Sequence, residues 1–390
     1  MFSRNLVILT FCQIFSFTAP TITVLLSGVI AYEMIEIKSF STLPTALTIV
    51  GTAISSIIAS YIMSKRGRKF GFILASLVST FASLVASFAI YFNIFFIFCL
   101  AHLLIGFGVA FAAQYRFAAA ESVLKEQIPR AISIILLGGI VAALIGLNLA
   151  TYTKELISDK LYVASYLSLA ILTFIPIVFL IFYENNKTSI NQSSLDRRSI
   201  IELLINLRFL QAIVGAGIGY AIMSFLMTAT PISMHIIDNF SIHKTGIVIQ
   251  LHVFGMFLPS LFTGHLINKF GHSRIMYFGI LILVLCIIIN FINQTLYHYI
   301  FGLILLGVGW NFLFVSGTSL LVISYKSEEK FKAQGLNDFI VFSTQAIGSL
   351  SAGYLLYLTN WKIINLICIP LLFIIFFITL RADYKSKKNY

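Results

Sequence analysis

Charge is what this chain has least of. Only 10% of its 390 residues are Asp, Glu, Lys or Arg, and the acids, at 14, are the scarcer sign against 26 cations. Soluble domains carry about a quarter charged residues, so a water-exposed globular surface is excluded. Proline, at seven, is too rare for a Pro-rich linker or a collagen-like stretch. The four cysteines, Cys12, Cys99, Cys286 and Cys368, stand singly in apolar runs with no CxxC spacing. They read as small core residues and give no disulfide framework. There is no HxxxH pair for zinc, no DxxxD pair for diphosphate and magnesium, and no phosphate-cradling P-loop. No cofactor or metal is expected, and nothing indicates nucleotide hydrolysis.

What is abundant is hydrocarbon. A hydrophobic share of 59% and a mean hydropathy of +0.97 exceed what one soluble core can use and match a polytopic membrane protein. The net charge of +12 would suggest nucleic acid in a soluble protein; in a membrane protein it is judged by where Lys and Arg fall around the spans. No nucleic-acid partner is expected.

Apolar runs bounded by charge or by Gly, Pro and Asn give twelve helices. The first six are Asn5 to Met34, Thr42 to Ser64, Phe70 to Tyr91, Ile94 to Gln114, Ala131 to Thr153 and Val163 to Tyr183. The second six are Phe209 to Ile237, Thr245 to Ile267, Ile275 to Asn293, Tyr297 to Ile323, Leu336 to Leu358 and Ile363 to Leu380. The first run is too long for a signal-peptide core of roughly 7 to 15 residues, so it is a span. With the amino terminus in the cytosol, only Lys38, Lys154, Lys160, Lys244 and Lys362 fall outside, leaving 21 of 26 cations inside. Cations resist translocation, which places both termini in the cytosol and the chain in the cytoplasmic (inner) membrane as a multi-pass protein.

A short basic loop organises the pattern. Lys65, Arg66, Arg68 and Lys69 surround Gly67 between the second and third runs, and the stretch returns in weaker form with Lys269, Gly271 and Arg274. From Gly67 to Gly271 the offset is 204 residues, about half the chain. Leu104-Ile-Gly-Phe-Gly-Val-Ala-Phe111 echoes Leu305-Leu-Gly-Val-Gly-Trp-Asn-Phe312 at nearly the same offset. Six spans per half preserve orientation, so the halves are parallel repeats. The expected organisation is an amino-terminal six-helix bundle over 1–183, a cytosolic linker with a short interfacial helix over 184–208, a carboxy-terminal six-helix bundle over 209–380 and a basic tail over 381–390.

Twelve spans, a central linker and a basic glycine loop after span two resemble the major facilitator superfamily along essentially the whole chain. The family signature there is G-x-L-a-D-r-x-G-r-r. Ile62, Lys65, Gly67, Arg68 and Lys69 match it, with Ser60 in place of the glycine and Ser64 in place of the aspartate. In the second half Gly264, Leu266, Lys269 and Gly271 match, with Asn268 at the aspartate position. His102 and Ile105 stand at the arginine and glutamine of the span-four pattern R-x-x-q-G-x-g. Gly146, Leu147, Ala150 and Thr151 occupy an altered span-five exporter pattern G-P-x-x-G-G. The resemblance implies an all-α membrane fold of two six-helix bundles rocking around a central cavity. It also implies gating at the basic loops, through Lys65, Gly67, Arg68, Lys69, Lys269 and Gly271. Without the family aspartate, the latch between halves must use neutral hydrogen bonds or other pairs, such as Arg116 with Glu121.

Polar groups inside spans are costly and so are candidates for function: Gln13, Glu33, His102, Arg116, Asn148, Gln250, His252, Asn311 and Gln345. Gln13, His102, Gln250, His252, Trp310, Asn311 and Gln345 are the expected solute-binding set, with Trp310 placed to stack on a planar solute. Glu33 reads as a solvated rim charge, and Asn148 equally as an interhelical bond. No mid-membrane cluster of cations or acids is present, which favours a small neutral or zwitterionic organic solute, aromatic compounds included. A lipid-modifying membrane enzyme would need acids or histidines clustered at one interface, and they are absent. The expected function is therefore secondary active transport by a monomer. His102 is the expected proton carrier, since its ordinary pKa near 6.5 can respond to burial and hydration. A drug-type efflux pump and a facilitative uniporter remain open.

Overall fold

The computed structural model describes residues 3–37, 40, 42–185 and 198–388. Its helices are α1 (Arg4–Ser16), α2 (Thr18–Met34), α3 (Leu43–Phe92), α4 (Phe95–Ala112), α5 (Tyr115–Ala120), α6 (Ile128–Thr153), α7 (Val163–Leu180) and α8 (Ile200–Ile205). They continue as α9 (Leu207–Pro231), α10 (Ile242–Phe257), α11 (Ser260–Phe270), α12 (His272–Ile292), α13 (Leu296–Val322), α14 (Lys330–Leu358) and α15 (Trp361–Lys388). No strand occurs among the described residues.

Eleven stretches are long and apolar enough to cross a membrane. One of them, α3, has 50 residues. At 1.5 Å per residue a straight helix of that length would run about 75 Å, more than twice a hydrocarbon core of about 30 Å. Gly67 resolves the mismatch: at φ +81° and ψ 163° it is non-helical and divides α3 into two spans. The described residues thus make twelve passes. Gly271 has the matching φ of +86° between α11 and α12. Two passes are built from pairs of helices: α1 and α2 meet at a break at Phe17, and α10 and α11 at Leu258–Pro259, where Pro259 has no N–H to continue the ladder.

The residues form two compact units that do not follow the chain halves. Unit 1 holds Met1–Val123, Gly138–Thr188 and Gln334–Phe339; unit 2 holds Leu124–Leu137, Ser189–Ala333 and Ile340–Tyr390. Unit 2 therefore includes the first turns of α6, whose remainder belongs to unit 1, and unit 1 includes the internal stretch Gln334–Phe339 of α14, whose ends belong to unit 2. Helices in lipid gain nothing from squeezing out water, so they associate by close packing of small residues. The core of unit 1 shows this, with Ala19, Ala82, Ala86, Ala101 and Ala150 interleaved among Ile22, Phe98, Ile105 and Tyr166. The repeated Gly-x-Gly has the same cause in both halves. A side chain on Gly106 would collide with the Thr48 carbonyl of α3, and one on Gly307 with the His252 carbonyl of α10.

Most of the expected linker, residues 186–197, lies outside the described residues. The expected short helix follows it as α8. Ser199 and Glu202 close a capping box at its start, Leu203 is buried, and Ile200, Ile201 and Ile205 are exposed, a pattern suited to a membrane interface. Just ahead of it, Arg198 grips the buried Glu329 with Nε at 2.9 Å and Nη2 at 2.6 Å. Lys332 adds a bond to the Arg198 carbonyl.

Candidate functional site

The densest polar cluster lies in unit 1, at the end that carries the Lys65–Lys69 loop. Arg68 points inward from the turn at Gly67 and is buried; its Nε and Nη2 donate to Glu121 at 3.0 and 2.6 Å, and Nη2 also reaches Gln334 Oε1 at 2.6 Å. Gln334 Nε2 returns a bond to Glu121 at 3.0 Å. Alongside, Arg116 forms a close ion pair with Asp338, which also accepts from Gln114 Nε2 at 3.2 Å and Asn337 Nδ2 at 2.9 Å. Asp338 is fully buried. Isolated charges at such a depth are prohibitive, but a carboxylate with three donors is compensated.

This arrangement corrects the expected latch. Each of the two residues expected to pair, Arg116 and Glu121, is held by another: Arg116 by Asp338 and Glu121 by Arg68. Ser64, at the family's aspartate position, donates to the Tyr61 carbonyl of its own helix at 2.7 Å. The remaining basic-loop residues differ among themselves. Lys65 and Arg66 are exposed, whereas Lys69 Nζ donates to the carbonyl of Ile181, the residue that ends α7, at 2.5 Å. In unit 2, Lys269 is exposed, and Asn268 donates to the Glu126 carbonyl at 2.8 Å.

The expected solute-binding residues are dispersed. In unit 1, Gln13 is buried in α1. His102 is fully buried and both ring nitrogens are occupied: Nδ1 lies 2.9 Å from the Phe98 carbonyl and Nε2 2.9 Å from Tyr166 Oη. A carbonyl can only accept, so Nδ1 carries a proton, and in the neutral ring Nε2 accepts from the phenol. In unit 2, Asn311 is saturated: Nδ2 donates to the Met256 carbonyl and Ser260 Oγ, each at 2.7 Å, and Oδ1 accepts from Thr263 at 2.7 Å. These bonds span the break at Leu258–Pro259, so Asn311 braces the kink between α10 and α11. His252 donates from Nδ1 to the Leu303 carbonyl at 2.8 Å, and its buried Nε2 has no partner. Trp310 stacks on Phe314 at 4.9 Å, and its indole N–H is also buried without a partner. Gln250 is exposed and Gln345 half-buried. Glu33 is exposed, as expected of a rim charge, and Asn148 is exposed with its amide bonded to the Leu144 carbonyl one turn back.

Three participants were missed from the sequence. Asp338 carried a usable signal, a carboxylate inside an apolar run, but the expected span began at Leu336, whereas α14 starts at Lys330, six residues earlier, which puts Asp338 well inside the helix. Gln114 and Gln334 carried none, because a neutral amide at a helix end is unremarkable until its partners are known. Among the described residues no group of three His, Cys, Asp or Glu could hold a metal ion.

The model of the Major Facilitator Superfamily matches residues 6–236 and 214–389. The chain is 34% identical over 370 residues to the riboflavin transporter RfnT of Brucella anthropi, covering 94% of this chain and 93% of that one. It is 26% identical to the MFS-type transporter YddS of Bacillus subtilis, covering 94% and 88%. Among solved structures, human organic anion transporter MFSD10 aligns with a TM-score of 0.75 at 14% identity, covering 96% of this chain and 99% of that one. An outward-facing bacterial homologue of ferroportin aligns at 0.74 with 11% identity, covering 98% and 100%. These two likenesses show the fold.

Proposed function

Since the chain belongs to the major facilitator superfamily, whose members here are transporters and not enzymes, we propose that its cargo is an uncharged planar organic solute of the riboflavin kind, moved by alternating access. The observation that carries this reading is the disposition of charge. Every fully buried charged side chain among the described residues belongs to an ion pair: Arg68 with Glu121, Arg116 with Asp338, and Arg198 with Glu329. No unpaired charge waits in mid-span for an ionic solute, whose desolvation would need one. Riboflavin, the solute in the name of the 34% identical relative, has an uncharged ring and an uncharged polyol.

The cluster around Asp338 is the proposed latch. The positive-inside distribution of Lys and Arg puts it on the cytosolic side. Opening there withdraws Gln334–Phe339 from its bonds to Arg68, Gln114, Arg116 and Glu121, and closing restores them. Counterflow in proteoliposomes tests the cargo: vesicles preloaded with unlabelled riboflavin should transiently accumulate labelled riboflavin. Equal label in protein-free vesicles would overturn the flavin reading.

A second reading concerns energy. Both nitrogens of His102 have partners in a dry core, which favours a structural histidine and a facilitative carrier over proton loading at this ring. Under this reading a protonophore leaves the initial rate of riboflavin entry unchanged, and His102→Gln changes stability more than it changes any response to a pH gradient. Gradient-driven accumulation abolished selectively by His102→Gln would restore His102 as the proton carrier.

A further inference from the structure

Tyr220 stands in the middle of α9, within unit 2, and three other rings cross it. Trp310 lies at 5.2 Å and 90°, Phe314 at 5.5 Å and 79°, and Phe342 at 6.3 Å and 68°. Trp310 is itself supported by Phe314, stacked at 4.9 Å, and by Phe257 of α10 at 6.0 Å. Perpendicular contacts from two helices, α13 and α14, leave the phenol ring little freedom to tilt. Trp310, Phe314 and Phe342 are buried, but Tyr220 is half-exposed.

The surroundings of the accessible part of Tyr220 decide what it can meet. A helix against lipid shows exposed apolar residues every few positions, as α12 does at Phe278, Leu281, Leu285 and Ile288. In α9 no residue from Asn206 to Met234 is exposed. Tyr220 is thus partly accessible on a helix that shows no stripe of exposed apolar residues. Packing of α14 beside it is tight, with Thr344 Oγ1 donating to the Gly217 carbonyl at 3.0 Å. Gln345 follows Phe342 by three residues on α14 and is half-buried. A partly accessible ring braced by three others, among described residues with no unpaired buried charge, suits a flat uncharged ligand.

We propose that Tyr220 is the stacking platform for the heteroaromatic ring of the transported solute, with Trp310, Phe314 and Phe342 fixing its plane. The inference rests on the flavin reading above and names a residue that reading does not need. An electron-poor ring such as isoalloxazine stacks well on an electron-rich phenol, and flavin emission is quenched by that contact.

The test is fluorescence titration of riboflavin and of lumiflavin, which has the ring without the polyol, on the purified full chain in micelles. Tyr220→Leu keeps bulk and removes the ring, and is expected to weaken both ligands about tenfold. Tyr220→Phe keeps a stacking face, and is expected to stay within about threefold of the parent while quenching bound flavin less. Thermal unfolding of both variants controls for folding. A Leu variant that binds and quenches like the parent overturns the platform and leaves the flavin reading standing. A parent that binds neither ligand overturns both.

Discussion

At the scale of residues, Asp338 is the side chain on which most depends. It is buried, sits with Arg116, and takes further bonds from Gln114 and Asn337. Removing one member of a buried pair strands the other in low dielectric, at a cost of about 3–5 kcal/mol. Asp338→Asn should lower the unfolding midpoint of the purified protein accordingly. Arg116→Gln combined with Asp338→Asn should cost less than the sum of the two single changes, because no charge is then left unpaired. Additive effects in that cycle would refute a direct pairing.

Helices and turns carry predictions of their own. Gly67 and Gly271 share a left-handed backbone, but their surroundings differ: a Cβ on Gly67 would come within 2.8 Å of the Asn185 amide, while one on Gly271 meets nothing within 4 Å. Gly271→Ala should therefore cost only the penalty of a backbone at φ +86° and ψ 160°, which glycine almost alone adopts, about 1–3 kcal/mol. Gly67→Ala should cost more, since Asn185 also holds the Lys69 N–H at 2.9 Å. Equal melting temperatures for the two variants would contradict this. In α8 the Ser199 backbone N–H bonds Glu202 and holds its carboxyl below the ordinary glutamate range. A depressed pKa stabilises the folded helix above the unfolded value, near 4.3, and that contribution fades as pH falls through the lower folded value. Protection of the amides across 200–205, measured against the intrinsic exchange rate, should fall below about pH 4, and Glu202→Gln should remove most of that pH dependence. An unchanged pH profile in the glutamine variant would discount the carboxylate's part in the cap.

For the whole molecule, the consequence of interleaving is interdependence. Unit 1 includes Gln334–Phe339 and unit 2 includes Leu124–Leu137, so neither chain half contains a complete unit. Chains cut between residues 186 and 197 and co-expressed should reassemble and restore counterflow. Either half alone should be recovered in low yield with a broad unfolding transition. A first half that unfolded cooperatively at the parental temperature would show that Gln334–Phe339 is dispensable to unit 1.

The sequence by itself determined the all-helical fold, its apolar runs, the glycine turns at 67 and 271 and a short helix at the end of the linker. Each of these follows from local chemistry: a run of apolar residues about 20 long can only cross as a helix, and only glycine adopts a positive φ freely between two of them. Tertiary structure decided who meets whom. Sequence pairs Arg116 with Glu121, five residues on, yet its carboxylate comes from Asp338, 222 residues away, because the stretch Gln334–Phe339 of α14 belongs to unit 1. His102 looked like a free titrating ring until Tyr166, 64 residues later, closed its second nitrogen. Tyr220 had no signal in sequence, being one aromatic among 17 tyrosines and 37 phenylalanines. The physical reason is common to all three: periodicity fixes the face a residue occupies, while the energy of a buried polar or aromatic group depends on the atoms that close around it, and those arrive from other helices.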